Sequence, residues 1–103
     1  MASPLEVVLQ GDSMWPTFRN GDVLFFRRLA DGDELAAGDV VLAHHPLKAS
    51  VLIVKRVHRV LETGEVFLVG DQPDPTATED SHNFGPVRQE SVMGRWNGEV
   101  KRA

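Results

Sequence analysis

An all-β domain is predicted by three features of this 103-residue chain. Its 9 glycines and 6 prolines interrupt it at short intervals, leaving little room for long helices. The segments between them are rich in Val, Leu, Ile and Phe, residues that favour strands. Turn signals of the strand-to-strand kind separate those segments, Asn20-Gly21 being the strongest.

Leu5 to Leu9 reads as the first strand, followed by a turn-rich stretch from Gly11 to Thr17. Asn20-Gly21 leads into a second strand over Asp22 to Leu29. A third covers Asp39 to His44 and ends at His45-Pro46. The long fourth, Val51 to Leu61, turns at Glu62-Thr63-Gly64 into a fifth, Glu65 to Val69, as a hairpin. Gly70 to Pro86 is polar and holds Pro73, Pro75 and Pro86, too irregular for a regular element and long enough for a functional loop. The last strand is expected over Ser91 to Trp96, with Lys101-Arg102-Ala103 as a frayed end. No repeat, low-complexity tract or linker interrupts the pattern, so residues 1–103 are read as one domain.

At 11.4 kDa and 42% apolar residues the chain can build one modest core. Its formal charge is -4 and its basic runs are no longer than Arg27-Arg28 or Lys55-Arg56, which argues against nucleic acid as a partner. Met1-Ala2-Ser3-Pro4-Leu5-Glu6 lacks the basic start and the apolar stretch of a secretory signal. No apolar run exceeds the length of Val51 to Val54, far short of the roughly 20 residues that cross a bilayer. No stable membrane insertion is expected, and the cytoplasm is the expected location. The absence of cysteine excludes disulfides, thiol catalysis and thiolate zinc sites.

The richest chemistry lies in Gly11-Asp12-Ser13-Met14-Trp15-Pro16-Thr17, where a serine sits in a tight turn between two strands. Such a turn can expose the hydroxyl and aim backbone N–H groups beside it. Serines also commonly serve turns for purely structural reasons, so both readings stand at this point. A serine nucleophile needs a base. In Val51-Leu52-Ile53-Val54-Lys55-Arg56-Val57 the period of two places Lys55 on one face with Val51, Ile53 and Val57, while Arg56 points the other way and stays charged. Desolvation there would lower the lysine's pKa and free its lone pair. The competing reading is a lysine reaching to water from an edge strand. His44, His45, His58 and His82 lack a triad context, and no His or Asp80 pairing has a diagnostic metal spacing; neither a metal nor any other cofactor is expected. In the 70–86 loop, polar residues such as Thr78 can hold a buried amine by hydrogen bonds.

Taken together, these segments resemble the signal peptidase I family and its relatives, the self-cleaving SOS repressors, which are serine-lysine dyad proteases. Gly11 to Thr17 is similar to that family's nucleophile box, and Asn20-Gly21-Asp22-Val23-Leu24 to the strand after it. Gly38-Asp39-Val40-Val41, Lys55-Arg56-Val57, and Gly70-Asp71-Gln72 through Asp80-Ser81-His82, Phe84-Gly85-Pro86 and Met93-Gly94-Arg95 resemble the later boxes. The likeness spans roughly residues 8 to 96. It implies small twisted antiparallel sheets in a partly closed barrel. It implies that Ser13 attacks the scissile carbonyl, Lys55 takes its proton, Thr78 orients the lysine and Asp80 supports the loop. Gly11, Asp12, Met14 and Pro16 would form the oxyanion and substrate-binding surroundings.

Three departures qualify the likeness. Gly11 stands where some signal peptidases carry a serine that helps stabilise the oxyanion, so backbone N–H groups, chiefly that of Ser13, would do this alone. Gln72 replaces an asparagine, and His82 an arginine that normally braces the loop. Only Arg56 to Val69 separate Lys55 from the Gly-Asp box, so the large inserted domain of many bacterial signal peptidases is missing, as is an N-terminal anchor. Short, unanchored members resembling this chain are the maturation proteases of nickel-type superoxide dismutase, which remove an N-terminal extension from the dismutase precursor. That precursor is therefore the expected partner, bound as an added strand beside the nucleophile turn. Two alternatives remain. A membrane-recruited signal peptidase core acting on secretory precursors would expose an apolar patch near Met14-Trp15. A non-catalytic repressor-type module for dimerisation or peptide binding would carry a fully charged, exposed Lys55.

Overall fold

The computed structural model describes residues 3–103. Six strands, β1 (Leu5–Val8), β2 (Val23–Arg28), β3 (Val40–His45), β4 (Lys48–Val60), β5 (Val66–Val69) and β6 (Val92–Lys101), form one antiparallel sheet in the order β1-β2-β6-β3-β4-β5. The all-β expectation holds. The strands form one sheet that is not closed, with β1 and β5 at its two edges.

The reason lies in the burial of β3, which is nearly continuous instead of alternating. Val40 and Leu42 point into one core with Leu9, Met14, Phe18, Leu24 and Phe26. Val41 and Ala43 point into another with Val57, Val66, Leu68 and Val87. Each face of the sheet thus has its own cover, and a strand buried on both faces reads as an apolar run. An enclosed barrel interior is not needed to bury these side chains.

Two strands extend beyond their expected limits. β4 begins at Lys48 because Pro46-Leu47 makes a two-residue turn that pairs His45 with Lys48; His44 pairs with Leu52, leaving Ala49-Ser50-Val51 as a bulge. β6 runs on to Lys101. Phe26 pairs with Trp96 and Leu24 with Val100, leaving Asn97-Gly98-Glu99 as a bulge opposite Phe25. Gly98 has φ +94°, the Trp96 indole N–H donates to the Glu99 carbonyl at 2.8 Å, and the strand resumes. Nor is the tail frayed: Ala103 N–H donates to Asp22 Oδ1 at 2.8 Å, and Arg102 Nη1 to the Thr17 carbonyl at 2.8 Å.

The 70–86 loop is also more ordered than its composition suggested. Asp74 caps a 3₁₀ turn over Pro75–Ala77. Asp80 then caps a one-turn helix, α1 (Ser81–Phe84), in a reciprocal capping box with Asn83. Ser81 Oγ accepts from the Leu68 N–H at 2.9 Å, fastening the helix to β5.

Candidate active site

The turn bearing Ser13 is fixed by its own polar groups. Gly11 N–H donates to Asn20 Oδ1 at 2.8 Å, and Asn20 N–H returns a bond to Asp12 Oδ1 at 3.1 Å. The Asp12 carbonyl accepts from Trp15 N–H at 3.0 Å and from Gln72 Nε2 at 3.2 Å, and the Ser13 carbonyl accepts from Gln72 N–H at 3.0 Å. Among the described residues, no acceptor takes the N–H of Ser13. That donor stays available beside the hydroxyl, as an oxyanion would require.

Lys55 lies in the middle of β4, 5% exposed, with Nζ donating to Thr78 Oγ1 at 3.0 Å. Burial pushes its pKa below the ordinary lysine value, and the charges of Asp80 and Glu79 pull only partly the other way. Val57 shares its buried face and Ile53 is half-buried, as the period of two predicts, while Val51 is exposed at the rim. This is the opposite of the exposed lysine that a non-catalytic module would carry.

Ser13, Lys55 and Thr78 open into one cleft of about 610 Å³. One wall comes from the end of β1 and residues 10–13, the other from the first half of β4. Gly70 sits between the Ser13 turn and Thr78. A Cβ there would lie 2.6 Å from the Ser13 carbonyl oxygen and 2.6 Å from Thr78 Oγ1, so only glycine lets the nucleophile turn and the lysine's hydroxyl partner close on the same point.

The remaining expected residues divide. Gly11 and Asp12 border the cleft, but the Asp12 carboxylate is engaged by the turn. Met14 is 1% exposed in the core, so its side chain cannot meet substrate. Pro16 faces a separate shallow pocket with Thr17, Asp22 and Arg102. Trp15 is 41% exposed, but with Met14 buried no joint apolar patch forms there. Asp80 does not touch Lys55 by hydrogen bond; it accepts from His82 N–H at 2.9 Å and from Gly70 N–H at 3.3 Å. His82 Nδ1, 2.9 Å from Asp80 Oδ1, contacts the carboxylate in this loop. Burial raises the Asp80 pKa, but these hydrogen bonds outweigh it and leave the carboxyl below its usual range.

Sequence reasoning missed three contributors. Arg56 grips Asp71, which also accepts from Thr17 Oγ1 at 2.6 Å, tying the base strand, the Gly-Asp box and the nucleophile turn together. Gly70 was read as part of a motif, without the close approach that requires it. His45, set aside with the other histidines, is 5% exposed and lies 2.6 Å from Glu79 Oε1. The buried face of β3 was the available signal for His45.

A turn serine and a desolvated lysine thus share one cleft on an open β-sheet, and residues 5–95 match the Peptidase S24-like family, to which this chain belongs. A mitochondrial inner membrane protease subunit 1 from Xenopus tropicalis is 34% identical over 109 residues, covering 86% of this chain and 64% of the relative. The chain thus spans less than two thirds of that protein's length. Among the described residues, no helix is long and apolar enough to cross a membrane.

Proposed function

We propose that the protein is a serine endopeptidase in which Ser13 is the nucleophile and Lys55 its general base. The observation that carries this reading is the position of Lys55 Nζ: buried, bonded to Thr78 Oγ1, and open to the same cleft as Ser13. A neutral amine takes the Ser13 proton as Oγ bonds to the scissile carbonyl carbon. The Ser13 N–H stabilises the oxygen that gains charge. The resulting ammonium returns the proton to the departing amine as the C–N bond breaks, leaving an acyl-serine. Lys55 then draws a proton from water as its oxygen attacks the ester carbon, and the ammonium passes that proton to Ser13 Oγ as the acyl C–Oγ bond breaks, releasing the acid and restoring Ser13 and the neutral amine.

The substrate we propose is a precursor carrying an N-terminal extension, specifically that of a nickel-type superoxide dismutase, processed in the cytoplasm. The likeness of the sequence boxes supports the choice, and a cleft bounded by the open edge of β1 suits an extended peptide. A second reading, cleavage of a presequence at a membrane, is favoured by the similarity to the mitochondrial protease subunit.

Product masses distinguish these. Wild type, Ser13→Ala and Lys55→Ala are incubated with the dismutase precursor and, separately, with a presequence peptide. Cleavage of the precursor at one bond by wild type alone supports the full proposal. Cleavage of only the presequence replaces the substrate, and unchanged cleavage by Ser13→Ala ends the mechanism.

A further inference from the structure

Thr78 has few means of holding its place. It follows the 3₁₀ turn, and among the described residues neither its own N–H nor that of Glu79 finds an acceptor. Its hydroxyl meets Lys55 Nζ, but a long lysine side chain cannot by itself fix the loop that is supposed to orient it. The adjacent residue supplies a second tie. Glu79 Oε1 lies 2.6 Å from His45 Nε2.

His45 is well built for this. Its Nδ1 accepts from Leu47 N–H at 3.0 Å, which leaves Nε2 as the nitrogen that donates to Glu79. Its ring packs on Phe84 of α1 at 4.9 Å between centroids, so the imidazole is oriented from both sides. The His45 hydrogen bond in turn holds the Glu79 carboxyl below its usual range. The titratable groups facing Glu79 are His45 and Lys48 from the β3–β4 hairpin and Lys55 from β4.

We propose that His45 is a positioning residue, which through Glu79 clamps residues 78–79 onto the sheet and so sets Thr78 Oγ1 against Lys55 Nζ. The proposal rests on the serine-lysine reading only for its effect on cleavage; the clamp itself is a structural claim.

Glu79→Ala is the primary variant, because that side chain is 56% exposed and its removal leaves the core intact. His45→Ala removes a buried ring and is read only if its melting curve shows a folded protein. The expected result for Glu79→Ala is a kcat lower by about 10- to 100-fold, the cost of a misplaced orienting group. Thr78→Ala added to it should lower kcat little further, since both act through one contact. Glu79→Gln keeps an acceptor for His45 Nε2 and should recover most of the rate. Independently of activity, the Thr78 methyl and Lys55 Cε resonances should shift in Glu79→Ala. Wild-type kcat in Glu79→Ala, losses that multiply with Thr78→Ala, or unmoved resonances would each overturn the clamp. If Ser13→Ala and Lys55→Ala cleave like wild type, the dyad falls, and the resonances still decide the clamp.

Discussion

Arg56 and Asp71 meet in a two-pronged pair, Nε to Oδ1 at 2.8 Å and Nη2 to Oδ2 at 2.7 Å. Their chain neighbours are Lys55 and Gly70, so this pair sets the register between the buried lysine and the glycine on which the site closes. Burial raises the Asp71 pKa, but the Arg56 and Thr17 bonds outweigh it and hold the carboxyl below its usual range.

Arg56→Lys should therefore behave as a disruptive change, because a lysine cannot reproduce the planar fork. We expect a loss of about 1.5–3 kcal/mol in chemical denaturation, the range for hydrogen bonds to charged groups. The same variant should cleave more slowly than wild type. Wild-type stability would show that the pair is replaceable by water.

Lys55 makes the pH dependence testable in two ways. Its pKa in the folded protein lies below the ordinary value of 10.5, so cleavage should rise with pH along a limb below that value. Between the two pKa values the unfolded chain binds more protons than the folded one, so stability should also rise with pH there. Below the folded value the buried ammonium is a liability. Lys55→Met should accordingly be inactive yet more stable than wild type at pH 7, with the gap narrowing near pH 10. Equal unfolding midpoints at pH 7 would show that the lysine is not desolvated.

Gly70→Ala should impair the site while leaving Ser13 and Lys55 themselves unsubstituted. The added methyl meets a backbone oxygen and the Thr78 hydroxyl at 2.6 Å, so one of them must move. The expected cost is about 1–3 kcal/mol of stability, as for other overpacked positions. A fall in kcat larger than the change in KM, measured on the same precursor, would match displacement of Thr78.

Asp22 predicts behaviour in acid. It is buried and accepts from Arg19 N–H, the strongest influence lowering its pKa, and also from Ala103 N–H and Arg102. Its stabilising effect is present above the ordinary carboxyl value of 3.8 and is lost as pH falls through the lower folded value. Asp22→Asn should cost about 1–3 kcal/mol at pH 7. The difference from wild type should shrink below pH 3. A constant difference across that range would assign the effect to packing.

Most strands were legible because alternation and turn residues are local signals. Val51 to Val57 announced both the strand and the face on which Lys55 lies. β6 was cut short because Asn97-Gly98 has the composition of a strand end, and only pairing with β2 shows that it is a bulge. The one-turn helix after Asp80 was missed because four residues carry no helical period. The partners of His45, Glu79 and Phe84, lie far along the chain, so the sequence gives no local sign of their contact. Similarly, Met14 sits in the most informative motif, but its side chain serves the core.

The strand order has a temporal meaning. Ser13 follows β1 and belongs with β2; Lys55 belongs with β3, β4 and β5; and the seam between these two halves is β6, which comes last in the chain. Until β6 enters, nothing in the sheet joins the half bearing the serine to the half bearing the lysine. The site is assembled from distant parts of the sequence, and such pairings form late. A loosened β6 would therefore part the two walls of the cleft without altering either of them.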